Sequence, residues 1–79
     1  MNYAATFHTH LAALRSYKRL SAAGVSARQA PVPRSLSSSC GTCVLYQYHQ
    51  PALDLLDGDL EAVYQMTTEG YQLIHQNEE

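Results

Sequence analysis

Thr42-Cys43-Val44-Leu45-Tyr46-Gln47-Tyr48 is filled almost wholly by β-branched and aromatic residues, the types that fit a pleated, half-buried surface. It is the strongest strand in the chain, and the rest of the sequence is read outward from it. Upstream, Val25 to Ala30 is a second strand of modest propensity, followed by Pro31 and Pro33. Proline cannot donate to a ladder, so this strand is expected at a sheet edge or to end there. Before it, His10 to Ala23 is built from strong helix formers, with Thr9 as N-cap and Gly24 as the stop. Ala13, Leu14, Tyr17, Leu20 and Ser21 share one side of that helix, while Arg15, Lys18 and Arg19 lie on the other, as in a helix covering a sheet. Tyr3 to Phe7 reads as a buried strand that ends where the helix starts.

Downstream, Pro51 to Leu56 predicts a short second helix, with proline suited to its first turn and Asp57-Gly58 ending it. Leu60 to Met66 reads as a strand, because Leu60, Ala62, Tyr64 and Met66 alternate with Glu61, Val63 and Gln65, although imperfectly. Thr67 to Gly70 is a turn and Tyr71 to Ile74 a last short strand. Residues 76–79 are expected to be a frayed tail. This order predicts a single α+β domain over residues 1–79: a ferredoxin-like split βαβ sandwich, βαββαβ plus a short C-terminal strand, with two helices on one face of an antiparallel sheet. In that topology the third strand lies between the first and second and runs opposite to both. His8, Thr9, His10, Cys40 and Cys43 then share one edge of the sheet. Tyr46, Tyr48, Tyr64 and Tyr71 are read as packing on the sheet faces.

The chain of 79 residues, with 46% apolar and 15% charged residues, has the composition of a soluble globular protein. No apolar run approaches the roughly 18 residues that span a bilayer, and the N-terminus lacks the pattern of a secretory signal. The expectation is a cytoplasmic protein with no membrane partner. All five basic residues precede Val44 and all seven acidic ones follow it. The basic residues are spread out, so no nucleic-acid partner is expected. No phosphate loop, catalytic carboxylate pair or Ser/His/Asp set can be assembled, and the expectation is a protein that is not an enzyme and has no cofactor.

The chemistry concentrates in Pro31-Val-Pro-Arg-Ser-Leu-Ser-Ser-Ser-Cys-Gly41. A thiol in water is mostly protonated at neutral pH, so a reactive Cys40 needs groups that stabilise an anion. Candidates are the free N–H groups at the helix start behind Thr9, the hydroxyls of Ser37, Ser38 and Ser39, the guanidinium of Arg34, and Gly41, which lets the backbone approach closely. Cys43, inside the strand and on the same face as Leu45, is either a core residue or a resolving thiol that closes a disulfide with Cys40. The Cys-x-x-Cys spacing is also that of half a zinc site, which His8 and His10, or a second copy of the chain, could complete. His49 and His75 carry no signal.

Thr6-Phe7, the helix with its early histidine, Pro31-Val-Pro-Arg34 and Ser38-Ser-Cys-Gly41 together resemble the selenium/sulfur carrier-like family of small bacterial domains. The likeness is read from Tyr3 to about Ile74, including Val63-Tyr64 and Gly70-Tyr71. It implies a compact α/β domain whose motif cysteine, matched by Cys40, carries persulfide sulfur or selenium, with Arg34, Ser38, Ser39 and Gly41 as supports. Cys43 departs from the motif, where an apolar strand residue is expected. Implied partners are a cysteine desulfurase-type donor and a sulfur or selenium acceptor protein; a homodimer is compatible with the sequence. The alternatives are a structural or regulatory interaction module and a Cys/His metal-binding domain.

Overall fold

The computed structural model, which describes residues 1–36 and 38–77, sets the strand after the cysteine loop inside a five-stranded antiparallel sheet. The elements are β1 (Asn2–Phe7), α1 (His10–Ala22), β2 (Ser26–Pro31), β3 (Thr42–Gln47), a 3-10 turn (Leu53–Leu55), β4 (Leu60–Thr67) and β5 (Gly70–Gln76). The sheet order is β2-β3-β1-β4-β5. β3 pairs antiparallel with both β1 and β2, as expected, and the proline-bounded β2 is an edge strand.

α1 is defined by its two ends. Thr9 is extended, and its hydroxyl accepts from the Ala12 N–H at 3.1 Å, satisfying one of the donors that a helix start leaves open. At the other end the Val25 N–H donates to Leu20 O at 2.9 Å and the Gly24 N–H to Ser21 O at 3.1 Å. That pattern needs a left-handed residue at Gly24, whose φ is +82°, and it brings Val25 onto Leu20, both buried. The buried face of α1 is Ala12, Ala13, Ser16 and Leu20. It is turned slightly from the expected stripe, since Ser21 is exposed and Leu14 and Tyr17 are only half-buried.

Between α1 and the sheet lies the core. Tyr3, Ala5 and Phe7 of β1 and Val44 and Tyr46 of β3 belong to it, and the Tyr3 and Tyr46 rings stack with centroids 5.2 Å apart. Burying each large apolar side chain here contributes about 1.5–3 kcal/mol. The alternate positions point to the other face. There Ala4, Thr6, Cys43 and Ala62 are buried because they are small and sit beside half-buried Leu45 and Tyr64 in the paired rows.

The second helix does not form, so the two-helix ferredoxin-like sandwich is corrected to one helix on a five-stranded sheet. Both β3 and β4 run antiparallel to β1 and are therefore parallel to each other. Their connection must return along the whole strand length. Six residues as helix advance only about 9 Å, but six extended residues advance about 20 Å. The crossover accordingly forms no helix beyond the Leu53–Leu55 3-10 turn and runs through bends and turns on either side of it. Ala52 breaks any helical start, with φ 55° and ψ 44°. The crossover is pinned by the Tyr46 hydroxyl donating to Pro51 O, and by the Asp57 N–H donating to the buried Ser16 Oγ at 2.8 Å.

β5 is longer than expected, and Gln76 and Asn77 of the proposed tail are held in place. Gln76 belongs to β5. The Asn77 N–H donates to Glu61 O at 2.9 Å, and its Nδ2 donates to Leu60 O at 3.1 Å. Residues 78–79 lie outside the described residues. No helix among those described is long and apolar enough to cross a membrane.

Candidate functional site: the cysteine loop

The β2–β3 connection is closed at its neck by the Val32 N–H donating to Gly41 O at 3.1 Å, and it turns through the Leu36 N–H donating to Pro33 O at 3.0 Å. Gly41 has φ +75°, a conformation other residues adopt only at a cost of about 1–2 kcal/mol. Its position is thus accounted for by the turn into β3. Cys40 is half-buried and packs against the edge of the core. Its S–H donates to Thr42 O at 3.4 Å, and its Sγ lies 4.0 Å from Ser38 Oγ.

The edge expected from the topology is present. Ser38 Oγ lies 3.0 Å from Phe7 O at the end of β1, and Thr42 Oγ1 and His10 Nδ1 are hydrogen-bonded at 2.8 Å, joining the start of α1 to the start of β3. His8 donates its backbone N–H to Asp59 O at 3.0 Å. Thr9 serves as the helix cap, its hydroxyl oxygen engaged by Ala12. Arg34 stands exposed in the first turn of the loop and, among the described residues, makes no ion pair. Ser37 lies outside the described residues.

The residue that sequence reasoning missed is Glu61. Its Oε1 accepts from the Ser39 N–H at 2.8 Å and from the Ser38 hydroxyl at 3.2 Å. It reaches them because β4 carries an irregularity at this point: Ala62 pairs with Thr6 and Leu60 with Phe7, which leaves Glu61 without a partner on β1. Such a bulge re-aims the side chain of its extra residue. The sequence signal was the broken alternation at Ala62-Val63, both buried.

Cys43 is fully buried and faces away from α1, and its S–H donates to Pro31 O at 3.7 Å. Burial pushes this thiol up, Arg28 pulls it down, and Cys40 pushes it up further. Both cysteines are free, and they sit on different sides of the sheet: Cys40 touches the core under α1, and Cys43 belongs to the opposite face. The two thiols are not bonded to each other, although Cys40 is near enough to bear on the Cys43 thiol. The same division separates the set His8, His10, Cys40 and Cys43. Among the described residues, no group of three or more His, Cys, Asp or Glu side chains is placed to hold a metal ion.

A half-buried cysteine in a clasped loop, at one end of a small antiparallel sheet with a single helix, defines a small α+β thiol protein. Residues 2–57 match the model of the family described as "Putative Se/S carrier protein-like", and the chain belongs to that family. The match runs from β1 through the cysteine loop and β3 to the end of the crossover, and stops short of the likeness read to Ile74. β4 and β5, and with them Glu61, lie beyond it. No curated protein and no solved structure matches the chain.

Proposed function

We propose that this protein is a non-enzymatic carrier of sulfane sulfur or selenium, with Cys40 as the carrying residue. The observation that carries the reading is the placement of Cys40, half-buried in the β2–β3 loop one residue before its neck, within the stretch matched by the family. The other cysteine, by contrast, is fully buried in a central strand. In the loading step the Cys40 thiolate attacks the terminal sulfur of a donor persulfide. An S–S bond to Cys40 forms, the donor's own S–S bond breaks, and the donor cysteine leaves as a thiolate. No net oxidation occurs, and the transferred atom keeps its proton or releases it to water. A terminal selenium transfers in the same way.

The chain's part is to present the nucleophile and shelter the product. The thiol's own hydrogen bond to Thr42 O is available only while Cys40 is protonated, so loading releases that bond. The Ser38 hydroxyl, 4.0 Å away, is a donor within reach of the resulting anion. A cysteine desulfurase-type enzyme is the proposed donor, and a sulfur- or selenium-accepting protein the recipient. Incubation with a desulfurase and cysteine, read by intact mass, is expected to add one sulfur atom to the wild type and to Cys43→Ser. An increment that survives Cys40→Ser and disappears in Cys43→Ser overturns the assignment.

A further inference from the structure

Resting on that reading, we infer that Glu61 is a positioning residue for the cysteine loop: a carboxylate latch, delivered by the bulge in β4, that holds Ser38 and Ser39 and thereby fixes Cys40 at the sheet edge. Ser39 precedes Cys40, and its N–H to Glu61 Oε1 is, at 2.8 Å, a charge-assisted bond of the stronger kind. Ser38 supplies the second bond to the same oxygen. Between them they tie a loop of the β2–β3 connection to β4, across the end of β1.

The bulge is itself held from the far side. The unpaired Glu61 still has to satisfy its carbonyl, and the Asn77 N–H does so at 2.9 Å, while the Asn77 side chain reaches Leu60 O and Gly58 O. Asn77, Glu61 and Ser38-Ser39 therefore form one chain of contacts from the end of β5 to the thiol. Its outer members lie beyond the segment matched by the family.

Glu61 could be thought of instead as a base that takes the Cys40 proton through Ser38. Its Oε1 is already occupied by two donors of the loop, the Ser39 N–H and the Ser38 hydroxyl, so the positioning role is favoured. The Ser38 hydroxyl carries one proton but has Phe7 O, Glu61 Oε1 and Cys40 Sγ around it. The latch leaves that proton free to swing from Glu61 to sulfur when the thiol becomes an anion, while the Ser39 bond keeps the loop in place.

In wild-type protein, the Ser39 amide proton resonance should titrate together with the Glu61 side-chain carboxyl carbon. A Ser39 amide that ignores the Glu61 titration overturns the latch without any variant. In Glu61→Ala, which removes both loop bonds to the carboxylate, Ser39 amide exchange should rise, and the rate of sulfur uptake should fall, each by at least about tenfold, the factor expected for one charge-assisted hydrogen bond alone. Glu61→Gln keeps an oxygen for both donors and should restore both to within about threefold. Equal loss of uptake in Glu61→Ala and Glu61→Gln overturns positioning. If wild-type protein takes up no sulfur at all, the carrier reading fails, and the two amide measurements decide the latch independently.

Discussion

Alkylation separates the two thiols, because their environments differ by far more than experimental scatter. Cys43 lies in β3, which is paired on both sides, and no part of its side chain is exposed. A reagent reaches it only when the sheet opens, and for a residue in a central strand that opening approaches global unfolding. A chain of 79 residues at about 0.05 kcal/mol per residue is stable by about 4 kcal/mol at the low end. Each 1.4 kcal/mol is tenfold, so the open state is populated to about one part in a thousand. Cys40 is half-buried and reacts from the folded state; allowing about tenfold for its partial cover, iodoacetamide should label it at least about a hundredfold faster than Cys43. Peptide mapping of a time course at pH 7, with a urea-unfolded control in which both sites react, measures the ratio. A native ratio below about ten refutes the placement of the two cysteines on different sides of a closed sheet, and restores Cys43 as a resolving thiol in easy reach.

Replacing Ser16 by alanine removes the acceptor for the Asp57 N–H at a fully buried position; stability measured by urea unfolding should fall by about 1–3 kcal/mol, with the crossover rather than the cysteine loop loosened in amide exchange. The pH dependence has a definite sign. Burial raises the Cys43 thiol and also the Tyr46 hydroxyl, so the folded chain holds protons that the unfolded chain gives up. The stability from these groups is fully present below about pH 8.5 for the thiol and about pH 10 for the phenol, and is lost as pH rises toward the raised folded values. Urea midpoints should therefore fall steadily above about pH 8.5, and Cys43→Ala should flatten the first part of that decline. A midpoint that rises with alkaline pH contradicts the burial of both groups.

Much of the fold was legible because strand chemistry and helix punctuation agree with each other. Thr42 to Tyr48 announced the strand on which the site is built, the prolines after Ala30 marked the edge strand, and Thr9 and Gly24 bracketed the helix. The strand order followed from these, and so did the meeting of the end of β1, the start of α1 and the start of β3 at one edge, although Cys43, expected there with His8, Thr9, His10 and Cys40, faces the other side of the sheet. The second helix was misread because Pro51 to Leu56 has helix-compatible residues, whereas the distance it must cover is set by the parallel run of β3 and β4, which no local window contains. Glu61 was missed for a related reason: a bulge depends on the register between β4 and β1, and a glutamate in a strand otherwise reads as a solvent-facing residue. Cys40 as the candidate was legible in the loop itself, and so was Ser38 beside it, but the Thr42 carbonyl that takes its S–H was not. Arg34 and the helix N–H groups were expected to support it, and the side chains and backbone found bonded or close to it are Thr42 and Ser38.

The central claim is that Cys40 carries the sulfur. Cyanolysis tests it most directly, since cyanide removes sulfane sulfur from a persulfide as thiocyanate and leaves ordinary thiols unchanged. After loading by a desulfurase and removal of the donor, wild-type protein and Cys43→Ser should each release one thiocyanate per chain, and Cys40→Ser none. Thiocyanate released in full by Cys40→Ser, or by none of the three proteins, contradicts the account.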